Sequence, residues 1–94
     1  MLNFKRVTAS SDAVLTGVYS IDRIRLVAGS DAATAVIYDK LTQGTPGDGY
    51  DFCKLSANST FDTDKEDFKG NGRTSIGLSV VLTGTNPVLY IYYS

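Results

Sequence analysis

TSIGLSVVLTGTNPVLYIYYS, residues 74–94, alternates apolar and small side chains with a period of two. Ile76, Leu78, Val80 and Leu82 alternate with Gly77, Ser79, Val81 and Thr83, the pattern of a strand with one strongly apolar face. Thr83-Gly84-Thr85-Asn86-Pro87 interrupts it with residue types that favour turns. Residues 88–93 resume it, with Val88, Tyr90 and Tyr92 on one face and Leu89, Ile91 and Tyr93 on the other. The stretch therefore reads as a β-hairpin. Its last strand is apolar or aromatic on both faces, so it is expected to be central in a sandwich or covered by another chain.

The composition agrees with an all-β chain. Of 94 residues only one is Glu, one Gln and one Met, whereas Thr, Val, Ile and Tyr are plentiful. That length makes one domain, residues 1–94. Formal net charge is −1, which argues against broad nucleic-acid binding while leaving room for local basic patches. A single cysteine, Cys53, permits no intrachain disulfide, and packing or oligomerisation must supply stability. No run is long and apolar enough for a signal peptide or a membrane span.

Upstream, residues 1–11 read as an extended N-terminal arm or a first strand. Residues 13–21 follow, with a bend or bulge at Gly17. Residues 22–28 form a strand with Ile24, Leu26 and Ala28 inward and Arg23 and Arg25 outward, returning through a Gly29 turn as residues 33–41 in a second hairpin. Residues 43–49, QGTPGDG, are a flexible surface loop. Residues 50–57 are another strand, and residues 58–68 a polar, acidic loop. Lys69-Gly70-Asn71-Gly72-Arg73 holds the Asn-Gly pair of a type I′ hairpin turn. The expected fold is a single small β-sandwich or jelly-roll-like domain of seven or eight strands.

No constellation of catalytic residues stands out. Histidine is absent, and Cys53 lies in a strand pattern without a His partner, so it reads as a buried structural thiol. Asp62, Asp64, Glu66 and Asp67 open like a calcium loop but lack its glycine and closing Glu, and read as a solvated loop. Lys69 and Arg73 lack the Lys-Ser/Thr of a phosphate-binding loop. Arg23 and Arg25 are expected to pair across strands with Asp22, Asp39 or another aspartate; the alternative is an acidic partner. Six tyrosines in a chain without tryptophan fit either core or interface. The chain is expected to be no enzyme, with no cofactor and no metal site.

Three segments, VTASSDAVLTGVYSI (7–21), IRLVAGSDAATAVIYDKL (24–41) and GLSVVLTGTNPVLYIYYS (77–94), resemble small all-β structural proteins of tailed bacteriophages. A Gly-Ser-x-Ala turn leads into a strand ending in Tyr-Asp, and the chain closes with Leu-Thr-Gly-Thr and a tyrosine-rich strand. The resemblance implies a virion component made in the bacterial cytoplasm. The role expected is a capsid decoration or cement protein, a homodimer or homotrimer bound to the major capsid protein, with no nucleic-acid or membrane partner. Contacts are expected from the N-terminal arm (Leu2, Phe4, Arg6) and the terminal strand (Tyr90, Tyr92, Tyr93). The alternatives are a carbohydrate- or receptor-binding module on a tail fibre, with Tyr50 beside the glycine-rich loop, and a tail or neck connector.

Overall fold

A computed structural model describes residues 3–58 and 60–94, position 70 for its backbone alone. The described residues form eight strands and no helix: β1 (Asn3–Val7), β2 (Ser11–Thr16), β3 (Ser20–Val27), β4 (Ala33–Tyr38), β5 (Asp51–Ala57), β6 (Thr63–Arg73), β7 (Gly77–Thr83) and β8 (Val88–Tyr93). They build two four-stranded antiparallel sheets, β1-β8-β3-β6 and β2-β7-β4-β5, packed together. Alternate residues of both sheets meet between them. Ile24, Leu26, Leu89 and Ile91 from the first sheet face Ile37, Leu55, Leu78 and Val80 from the second, all essentially shielded from solvent. Burying each such side chain contributes about 1.5–3 kcal/mol.

β8 lies between β1 and β3, an interior position that suits a strand apolar on both faces. The pairing, however, differs from the sequence expectation. β7 and β8 belong to different sheets, and so do β3 and β4. Both expected hairpins are arches that cross from sheet to sheet. Of the consecutive strand pairs only β4 and β5 are sheet neighbours. Their connection, 39–50, contains the expected glycine-rich loop.

Arches bring loops close together at the ends of the molecule. A Cβ on Gly29 would run into the Thr85 carbonyl and lie 2.7 Å from that of Asn86, which is why this turn needs glycine. The buried Thr74 hydroxyl donates to Gly17 O and accepts from the Tyr19 amide, both at 2.8 Å, tying the 74–76 arch to the bend at Gly17.

Two further expectations change. The acidic segment after residue 62 and the Lys69-to-Arg73 stretch are one long edge strand, β6, rather than a loop and a hairpin turn. Its register on β3 jumps from Arg23↔Asp67 to Ile21↔Gly72, so residues 68–71 bulge, with Lys69 at φ 51°. Phe68 turns inward there and meets Phe52 at 5.2 Å, closing the corner between the sheets. Ile76, expected on the inner face, lies before β7 and is 42% exposed. At the other edge, Asn3–Val7 is an ordered strand paired with β8, so the arm is a first strand over those residues.

Candidate functional site

The outer face of the β1-β8-β3-β6 sheet brings the sequence candidates together. Register places Phe4 beside Tyr92, Tyr92 beside Arg23, and Arg23 beside Asp67. The next row runs Arg6, Tyr90, Arg25, Lys65. Because Leu89, Ile91, Ile24 and Leu26 point inward, the residues between them point out. Phe4 is 60% exposed, its ring 6.1 Å from Tyr92 and 6.5 Å from Tyr90. The Arg23 guanidinium stacks on Tyr92 at 4.7 Å, and its shielded Nε has no hydrogen-bond partner. Arg6, Arg23, Arg25 and Lys65 thus share one aromatic face, with Asp67 beside Arg23.

Among the described residues these arginines form no ion pair, contrary to the expectation of cross-strand pairs. Among the described residues the single ion pair is Lys40 with Asp48, at 3.4 Å. The reason is where the other carboxylates go. Asp39 accepts from the amides of Ser75, Ile76 and Gly77. Asp12 accepts from Gln43, Asp51 from Gly47, Asp62 from Asn58, Asp64 from Ser56, and Asp67 from Lys69. Asp31 accepts from the Thr85 hydroxyl. Loop amides compete well for aspartate because a hydrogen bond to a carboxylate is charge-assisted while an exposed salt bridge contributes little.

The electrostatics follow from the same contacts. Burial alone raises the Asp39 carboxyl, but donors at Ile76, Gly77 and Ser75 outweigh it and hold the group below the ordinary value of 3.8. Asp48 is also lowered, chiefly by the Tyr50 amide. Among the described residues no group of three His, Cys, Asp or Glu side chains is placed to hold a metal ion. Cys53 is half-buried; burial, with the charges of Glu66 and Asp64, pushes its thiol up to about 12.

A second surface lies where the 17–19, 39–50 and 74–76 connections meet. Val18, Leu41, Tyr50 and Ile76 are all exposed. They are tied by Gly17 N–H to Ile76 O and Ala13 N–H to Leu41 O, both 2.9 Å. Tyr50, capped by Lys40 Nζ at 4.9 Å, borders an open recess of about 290 Å³ with Asp39, Asp51 and Ser75.

Phe4, Arg6, Tyr90 and Tyr92 therefore share one surface. Tyr93 does not: it points to the inner side and meets Tyr19 edge-on at 5.2 Å. Leu2 lies outside the described residues. Val18, Leu41 and Ile76 were not among the sequence candidates, because isolated apolar residues in turns carry no periodic signal. Comparison with protein-family models and with curated proteins returns no match.

Proposed function

We propose that this chain is a non-enzymatic structural protein of a tailed-phage virion, a capsid decoration or cement protein that docks on the major capsid protein at the head surface. One observation carries the docking part: an exposed sheet face where Phe4, Tyr90 and Tyr92 are interleaved with arginines that form no ion pair among the described residues. Aromatic residues and arginine are enriched in interface cores and dominate binding hot spots. The virion setting rests on the sequence resemblance. The strand order β1-β8-β3-β6 over β2-β7-β4-β5 supports a jelly-roll wiring of the sandwich. A dimer or trimer would present several copies of the face at once and raise effective affinity.

Purified chain mixed with phage heads should co-sediment at hundreds of copies per head, and light scattering should give the mass of a dimer or trimer. A monomer that stays in the supernatant would sink the reading. One observation favours a second reading, a receptor- or carbohydrate-binding module: Tyr50, 43% exposed, stands at the rim of the recess beside Asp51 and Ser75. Binding to a glycan array that is abolished by Tyr50→Ala, without binding to heads, would select it.

A further inference from the structure

Resting on the docking face proposed above, we infer that its partner is an acidic polypeptide segment in extended form, carboxylates alternating with apolar side chains, read by Arg23 and Arg25. The two arginines stand two residues apart on β3, about 7 Å along a strand. That is the spacing of every second residue on a facing strand. Arg25 is exposed, and the Arg23 guanidinium lies over the Tyr92 ring, 4.7 Å from its centroid. That contact restrains the guanidinium, so its fork meets a carboxylate with less rotamer freedom left to lose. Between and beside the cations, Tyr90, Tyr92 and Phe4 offer apolar area for the intervening side chains.

Charge complementarity favours a carboxylate segment over a polynucleotide, although both carry anions an arginine fork can read. Along the Arg23 row the cationic patch ends at β6, where Asp67 shares the face, and Asp64 and Glu66 line the rim from the strand's other side; along the Arg25 row it ends on Lys65. A continuous phosphate chain crossing β3 in the Arg23 row would run onto those carboxylates, whereas a short segment with two acidic side chains fits within the patch. Arg6, Arg23, Arg25 and Lys65 form no ion pair among the described residues, so no such pair must break first.

The test uses the full chain and fluorescein-labelled probes: a peptide of alternating Glu and Val, its Gln-Val counterpart, and a short oligo(dT). Anisotropy should show the Glu-Val peptide binding at least tenfold tighter than either control, and weakening as NaCl rises from about 50 to about 300 mM. Arg23→Gln with Arg25→Gln should reduce that binding at least tenfold with an unchanged melting temperature. Should the pair disturb folding, Arg25→Gln alone, at an exposed position, should still reduce it several-fold. Equal binding of the Gln-Val peptide, tighter binding of oligo(dT), or indifference to both arginine variants would overturn the inference. A light-scattering mass that falls on Arg25→Gln would also overturn it by making a second copy the occupant. Failure here is separable from failure of the docking face. If Phe4→Ala with Tyr92→Ala abolishes co-sedimentation with heads while the arginine variants do not, the face is the contact but carboxylates are not what it reads.

Discussion

The two outer faces of this molecule are treated oppositely. On the β2-β7-β4-β5 sheet the chain covers itself. Tyr38 and Ser79 point outward, yet are 1% and 0% exposed, because the 39–50 connection folds back over them. Ser79 donates to Thr42 O at 2.8 Å, and a Cβ on Gly44 would lie 2.8 Å from the Tyr38 ring, so this loop has no room to spare. On the β1-β8-β3-β6 sheet no connection among the described residues crosses the Phe4, Tyr90, Tyr92 and arginine rows, and Phe4 stays 60% exposed. Carboxylates mark the divide. They staple loops, Asp39 and Asp48 above all, and among the described residues none pairs with the arginines of the bare face.

That contrast can be broken first on the covered side. Asp39→Ala removes the acceptor for three amides at once. It should cost about 2–3 kcal/mol in urea unfolding, since charge-assisted bonds are the strong ones and the donors are left without a partner. A loss under about 0.5 kcal/mol would mean that the loop needs no staple. Acid should act the same way without mutation. The Asp39 and Asp48 carboxyls are lowered from 3.8, so the stability they contribute is fully present above about pH 4 and is lost as pH falls through their folded values. Hydrogen exchange at Ser75, Ile76 and Gly77 should quicken in that window before exchange on β8 does. Ser79→Ala should cost about 1 kcal/mol, the usual worth of one hydrogen bond. On the bare face the expectation reverses. Phe4→Ala and Arg25→Gln should shift stability by less than about 0.5 kcal/mol, as surface substitutions do, while binding falls. Cys53, its thiol raised to about 12, should label slowly with maleimide at pH 8 in native protein and quickly in urea.

Much of this was legible in the sequence, and the misses share a cause. Period-two alternation marks β3, β7 and β8 as strands and puts Ile24, Leu26, Leu78 and Val80 inside. It also sets Tyr90 and Tyr92 against Leu89 and Ile91, which is half of the candidate face. Turn residues such as those around Gly84 announce that the chain reverses, but not whether it returns to the same sheet or to the facing one. Hence two arches read as hairpins. β6 is hidden because Asp64, Lys65, Glu66 and Gly70 are poor strand formers; an edge strand with one neighbour tolerates them, and its charges guard the edge. The arginines were visible as an i, i+2 pair, but their freedom was not. It depends on where the aspartates go, and that is decided by loops distant in sequence, as when Asp39 binds the amides of residues 75–77.

The most direct test of the central claim is hydroxyl-radical footprinting of the chain, free and bound to phage heads, read by mass spectrometry at individual side chains. Phe4, Tyr90 and Tyr92 should lose most of their oxidation on binding, while Tyr50, Val36 and Val81 keep theirs. Protection of Tyr50, Val18 and Ile76 with Phe4 unchanged would contradict it, and would move the contact to the loop end of the sandwich.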